Sequence, residues 1–267
     1  MDYSLPITPV IKHELTQDVN REELYYRDVI QPNEGEFRQL SSWLIRSLEK
    51  SEILSELYRF IEFKGEILEL GAGSCWFSSG LSLLGSVSRI YCLDMSRSIL
   101  ENIAPYVMKH LGANTEKLFR VIGDFNKLWF QDRKFDFVVF DASLHHIPES
   151  NHSRVLKEVY RVLRTDGKVV AINEPFLSSN STFNKYRKSR FGVHERKYGV
   201  TENIYTKEEW KRILENVGFR CFFIPQGFIK TNNSLELKNL MKRVIKKSFL
   251  KGLFLYFFPR YFVVLEK

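Results

Sequence analysis

From residue 63 onward, short apolar runs and helical stripes take turns along the chain. Residues 66–70, 89–93, 119–122, 135–140, 168–172, 219–224 and 261–265 are mostly apolar runs of strand length. Between them lie segments of helical period: one reaching about residue 84, one at 98–111, and one at 207–217 stopped by Gly218. Another carries Val155, Leu156, Val159, Val162 and Leu163 on one stripe and closes at the turn Thr165-Asp166-Gly167. Strands alternating with helices imply βαβ units, hence an α/β fold whose mostly parallel seven-stranded sheet is covered by helices on both faces. Upstream, Phe37, Leu40, Leu44, Leu48, Leu54, Leu57, Phe60 and Ile61 recur at helical spacing, which predicts one long or two short helices. Residues 1–35 hold three prolines and no strong period, and read as an arm. The division expected is an N-terminal arm and helical cap over 1–62, then one domain over 63–267.

The first strand runs into Glu69-Leu70-Gly71-Ala72-Gly73-Ser74-Cys75-Trp76. A glycine-bearing turn between the first strand and the first helix is where a doubly wound sheet receives nucleotide-like ligands. Gly71 and Gly73 let backbone come close to a ligand, and helix N-terminal amides can face a carboxylate. The dinucleotide fingerprint is incomplete, because Trp76 stands at its third glycine. Glu69, two residues before Gly71, would repel a diphosphate but not a ligand bearing an ammonium and a sulfonium. Downstream, Asp94 ends the second strand, 21 residues beyond Gly73, where an acid can accept from two ribose hydroxyls. Gly123-Asp124-Phe125 ends the third strand, offering a carboxylate to an adenine amino group and a ring to stack on the base. Asp141 ends the fourth. For each acid the plain alternative is a turn or helix-capping residue.

This ordered set resembles the class I S-adenosylmethionine-dependent methyltransferase superfamily, especially its small-molecule branch. The likeness rests on E-L-G-A-G (69–73), L-D-M-S (93–96), G-D-F (123–125), F-D-F-V-V-F-D-A-S-L-H-H-I (135–147) and R-V-L-R-T-D-G-K-V-V (161–170), and covers about residues 63–223. It implies a Rossmann-like fold with an antiparallel last strand, S-adenosylmethionine as cofactor and S-adenosylhomocysteine as product. It assigns Glu69, Gly71 and Gly73 to the methionine end, Asp94 and Met95 to ribose and adenine, Asp124 and Phe125 to adenine, and Asp141 to the neighbourhood of the sulfonium.

Methyl transfer from a sulfonium is an in-line displacement governed by alignment, and a hydroxyl acceptor gains from a base. His145 and His146 follow the fourth strand and Glu174 follows the fifth. An unperturbed histidine titrates near ~6.5. The resemblance favours His146, since the second histidine of such a pair often faces substrate in related enzymes; local structural bonding is the alternative for all three. The turn Asp141-Ala142-Ser143-Leu144 lacks the prolines and aromatic that grip a flipped base. No cysteine follows a strand in a Pro-Cys setting, so C5-cytosine chemistry has no nucleophile.

Composition then narrows the setting. Three cysteines, Cys75, Cys92 and Cys221, form no C-x-x-C pair, which argues for reduced thiols and no metal site. No leader pattern opens the chain, and the longest apolar run, residues 253–258, falls far below the ~20 that span a bilayer. A cytoplasmic protein is expected. The net charge of +8 is clustered: residues 185–197 carry six basic against one acidic residue, and 230–260 carry eight against one. The two segments form basic insertions at about 176–205 and 230–259. The first emerges beside the active-site edge and suits an anionic substrate. Its end, Gly199 to Tyr205, is similar to methyltransferases found with bacterial surface-glycan and sugar biosynthesis. The second pairs a Leu/Met/Val face with Lys238, Lys242 and Lys246, a pattern that fits peripheral membrane contact through 234–258, a lid, a dimer face or plain packing.

The expectation is O-methylation of a small-molecule or glycan-linked hydroxyl. Two alternatives stay open: a lipid or polyprenyl-linked acceptor methylated at a membrane surface, and a non-catalytic S-adenosylmethionine- or RNA-binding protein. The second lacks any RNA-module signature despite a pI of 9.3, so a nucleic-acid partner is not expected.

Overall fold

The computed structural model describes residues 10–12, 36–178, 180–226, 256 and 258–267. Its centre is an eight-stranded sheet in the order β1-β4-β3-β2-β5-β6-β8-β7. The strands are β1 (Ile11–Lys12), β2 (Gly65–Leu70), β3 (Val87–Asp94), β4 (Leu118–Ile122), β5 (Phe135–Asp141), β6 (Leu163–Ile172), β7 (Arg220–Pro225) and β8 (Tyr261–Glu266). β1 to β6 pair in parallel, whereas β8 runs antiparallel to both β6 and β7. The chain leaves β2 and builds outward to β4, then returns to build outward from β5. The carboxyl ends of β2 and β5, adjacent in the sheet, therefore open the crevice where such folds bind ligands.

Burial on both faces explains why the strands read as unbroken apolar runs. One face packs Ile67, Ile90, Val139 and Val170 against Phe77, Leu81, Ile103 and Val107. The other packs Leu68, Val138, Phe140 and Val169 against Val155, Leu156, Val159 and Trp210. The covering helices are α1 (Glu36–Leu57), α2 (Trp76–Ser82), α3 (Ala104–His110, entered through a π-turn at Ile99–Ile103), α4 (His152–Val162), α5 (Ser181–Arg190), α6 (Val193–Arg196) and α7 (Lys207–Glu215). α7 starts where Thr206 and Glu209 form a reciprocal capping box.

Four expectations are refined. Within the region 36–61, Glu36–Leu57 form one helix of 22 residues, whose Ile53, Leu54 and Leu57 are buried in the main core. Part of the arm, Ile11–Lys12, adds an eighth strand beside β4, a two-residue pairing too short to leave a periodic signal. The turn at 165–167 does not end an element. It lies within β6 as a bulge, where the pairing jumps from Phe135 with Leu163 to Phe137 with Lys168. The segment after β6 also holds α5 and α6 rather than plain loop, and a bridge between Phe176 and Tyr205 closes it. Residues 227–255, which include most of the second basic insertion, lie outside the described residues. Among the described residues no helix is long and apolar enough to cross a membrane.

Candidate active site

The glycine corner is fixed by geometry. Gly71 has φ +74°, and a Cβ there would stand 2.5 Å from the Cβ of Ser143 and 3.3 Å from the Phe125 ring. Only glycine satisfies both the left-handed backbone and the contact. Ser143 completes the closure by donating to the Leu70 carbonyl at 2.6 Å, which ties the β5 loop to the β2 loop.

The acids of the cofactor half hold this corner. Asp94 accepts from the backbone N–H of Gly73 at 2.7 Å through Oδ2 and from that of Ser96 at 2.8 Å through Oδ1. It thereby fastens the first and second βα turns together. Met95 beside it is half-buried. Asp124 is buried and accepts from the N–H of Asn126 at 2.7 Å. Phe125 sits edge-on to Phe140, with ring centroids 6.2 Å apart. Glu69 lies beneath the corner, fully buried. Its Oε2 accepts from the Ser78 amide at 3.1 Å and from the Ser78 hydroxyl, while Oε1 has no partner among the described residues. Burial first, then the neighbouring Cys92, pushes its carboxyl well above the usual range, although the Ser78 bonds oppose this.

Asp141 joins the two halves. Its carboxylate accepts from Lys50 Nζ at 2.7 Å, from Asn173 Nδ2 at 2.5 Å and from the Trp76 indole N–H. Lys50 also stands 4.8 Å from the Trp76 ring centroid, so α1 is pinned to the crevice by an ion pair and a cation–π contact. Trp76, which spoils the dinucleotide fingerprint, is thus used as a donor at the site.

On the acceptor half, backbone strain marks the carboxyl ends of two strands. Ala142 and Asn173 adopt φ of +52° and +58°, unusual for residues with a Cβ. Glu174 follows, and its carboxylate accepts four bonds. The amides of Ser143 and Leu144 donate to Oε1 at 3.0 Å each, and the amide of His145 donates to Oε2 at 3.1 Å. The His145 ring donates through Nδ1 to Oε2 at 2.7 Å. Glu174 therefore has no capacity left to take a substrate proton. It holds the Leu144–His146 turn and sets the His145 tautomer, leaving Nε2 as the basic nitrogen.

The two histidines diverge electrostatically. Burial pulls the His145 pKa down, but the Glu174 carboxylate outweighs it with help from Glu202 and Asp141, and the pKa stands above the ordinary histidine value. His146 is lowered to about 3 by burial and by the neighbouring His145 charge. Its Nδ1 donates to the Thr201 carbonyl at 2.9 Å. Glu202 lies 3.5 Å from His145 Nε2 and 3.4 Å from His146 Nδ1, and burial raises its pKa despite the favourable His145 charge. His145, His146 and Glu202 could together hold a metal ion, a cluster the cysteine spacing gave no hint of. A cavity of about 430 Å³ opens here, lined among others by His145, Glu174, Glu202, Arg187, Gln226 and Arg260.

Sequence reasoning missed Lys50, Glu202, Gln226 and Arg260 as site residues. Only Glu202 left a trace, within the Gly199-to-Tyr205 run; the others reach the site from segments distant in the chain.

Comparisons with known proteins agree with this fold. Residues 68–171 match the family described as "Methyltransferase domain". Demethylmenaquinone methyltransferase from Staphylococcus aureus (strain JH9) is 29% identical over 158 residues, covering 54% of this chain. The chain matches 63% of that relative's length. Among solved structures, a SAM-dependent methyltransferase from Archaeoglobus fulgidus superimposes with a TM-score of 0.56 at 18% identity, covering 83% of this chain and 94% of that one. One from Methanosarcina mazei gives 0.54 at 18% identity, covering 79% and 96%. Residues 68–171 thus carry a methyltransferase-domain match, and the fold is that of solved SAM-dependent methyltransferases. S-adenosylmethionine is the cofactor that these likenesses indicate.

Proposed function

We propose that the protein transfers the methyl group of S-adenosylmethionine to a hydroxyl of a small-molecule or glycan-linked acceptor held in the cavity, with His145 as the base. The carrying observation is the Glu174–His145 pair at 2.7 Å, which aims a histidine of raised pKa at a cavity beside the glycine corner.

The residues present fit the cofactor. Gly71 makes a cradle that a side chain would fill. Glu69 offers a buried acceptor atom with no partner among the described residues, and Asp94 and Asp124 are acids at strand ends. In this reading Glu69, Gly71 and Gly73 hold the methionine end. Asp94 and Met95 hold the ribose side, Asp124 and Phe125 the adenine, and Asp141 lies by the sulfonium. The cofactor supplies an electrophilic methyl group. The chain's own residues align the acceptor, exclude water and move one proton. His145 Nε2 takes the hydroxyl proton as the oxygen attacks, and Glu174, a positioning residue, stabilises the imidazolium through Nδ1. His146, favoured by the sequence pattern, is assigned no proton transfer, because its depressed pKa makes it a poor base near neutrality.

The test is incubation of the full chain with methyl-labelled S-adenosylmethionine and pools of sugar, nucleotide-sugar and lipid acceptors. Label should pass to a hydroxyl in wild type and be nearly lost in H145Q. No transfer to any pool would remove the reading. A second reading is a lipid or polyprenyl-linked acceptor. It is favoured by the relatives named demethylmenaquinone methyltransferase and by the basic amphipathic pattern of 234–258. Indifference of the protein to anionic vesicles would remove it.

A further inference from the structure

Resting on the reading that the cavity receives the acceptor, we propose that part of its lining is an anion subsite. There the guanidinium groups of Arg187 and Arg260 and the side-chain amide of Gln226 hold a phosphate or carboxylate group carried by the acceptor.

Three separate elements deliver these donors to one cavity. Arg187 comes from α5, Gln226 follows β7, and Arg260 precedes β8. The backbone N–H of Gln226 donates to the Arg260 carbonyl at 3.0 Å, which pins the two residues side by side at the end of the antiparallel pair. Arg187 is held from behind. Its Nη1 donates to the Phe176 carbonyl, and its guanidinium lies 5.1 Å from the Phe258 ring centroid. Among the described residues no carboxylate pairs with Arg187.

Gln226 is an independent observation. It is 1% exposed, and its Nε2 has no acceptor among the described residues. A buried amide donor without an acceptor is destabilising, and an oxyanion in the cavity supplies the missing acceptor. Electrostatics point the same way. Burial lowers the pKa of both arginines, and the Arg260 charge lowers that of Arg187 further. Two like charges thus share one desolvated volume, a repulsion that an anion between them would reverse. Glu174, Glu202 and Lys50, which also line the cavity, each have partners. Glu174 accepts its four bonds, Glu202 faces the histidines, and Lys50 is paired with Asp141. A planar guanidinium fork matches the oxygens of phosphate or carboxylate. The arrangement selects acceptors that carry an anionic group besides the reacting hydroxyl.

Pyrophosphate is the probe, titrated calorimetrically into the full chain, with S-adenosylhomocysteine titrated in parallel. Pyrophosphate should bind wild type. Its affinity should fall at least tenfold in R187Q and R260Q and several-fold in Q226L, with S-adenosylhomocysteine affinity within twofold of wild type in all three. Pyrophosphate that fails to bind wild type, or binds all variants equally, overturns the proposal. Should R187Q lose S-adenosylhomocysteine binding as well, R187K replaces it, keeping charge but losing the fork. A threefold or greater loss for pyrophosphate then supports the subsite, and an unchanged affinity overturns it. Failure of S-adenosylhomocysteine in wild type would sink the methyltransferase reading and leave the pyrophosphate result to be judged alone. Sedimentation with phosphatidylcholine vesicles containing phosphatidic acid separates the two sources of phosphate. Retention abolished in R187Q assigns the anion to a lipid headgroup, and no retention assigns it to a soluble acceptor.

Discussion

The two halves of the sheet's carboxyl edge are built differently. On the β2–β4 side, the corner is made of backbone and of acids that bond amides within the adjoining turns, such as Asp94 to Gly73 and Ser96. On the β5–β8 side, the cavity is made of side chains from α1, the strand ends, α5 and the β7–β8 pair, meeting from positions as far apart as Lys50 and Arg260. In the proposed reading the first half is constrained by a cofactor whose shape does not change. The second is assembled from insertions, the part of such folds where substrate choice can vary without disturbing the sheet.

If the halves are separable, damage should separate as well. The largest effect is expected for H145Q, which removes the proposed base. Its kcat should fall by roughly 10²–10⁴ with S-adenosylhomocysteine affinity unchanged by calorimetry, whereas H146Q should cost less than tenfold. Equal losses in the two variants would break the assignment. Next is D94A, which should weaken S-adenosylhomocysteine by about 100-fold, the equivalent of roughly 2–3 kcal/mol for charge-assisted hydrogen bonds. Third, G71A forces a Cβ to within 2.5 Å of Ser143 at φ +74°. It should cost roughly 2–4 kcal/mol of stability from the left-handed backbone and the overlap, read as a lowered denaturant midpoint.

A pH series is the smallest effect and the sharpest on the acceptor half. His145 works only when neutral, so kcat/KM should drop as pH falls through its pKa, with a midpoint above the ordinary ~6.5. E174Q removes the leading cause of that raised value, lets burial dominate, and should move the limb downward. For stability the sign is the reverse. The His145–Glu174 pairing contributes fully below about pH 6.5 and is lost as pH rises through the folded pKa. An acid limb unmoved in E174Q would show that another group carries the titration.

The same contrast explains what the sequence made legible. Strands buried on both faces write themselves as apolar runs, and Gly71, Asp94, Asp124 and Asp141 stand at the ends of those runs, so the cofactor half could be read in order. The Thr165-Asp166-Gly167 turn was visible, but its absorption into β6 depends on pairing with Phe135 and Phe137, which no local pattern encodes. Likewise, nothing around Lys50 or Gln226 announces a site, because each acquires its role from a partner far along the chain. The choice between His145 and His146 turns on Glu174, about 30 residues away. Adjacent identical residues cannot be told apart until the fifth strand places that carboxylate.

The central claim is that the glycine corner with its surrounding acids receives S-adenosylmethionine. Calorimetric titration of the full chain with S-adenosylhomocysteine and, separately, with NAD tests it most directly. The account predicts saturable heat with S-adenosylhomocysteine, at an affinity about 100-fold weaker in D94A, and none with NAD. Tight NAD binding with no heat from S-adenosylhomocysteine would contradict it.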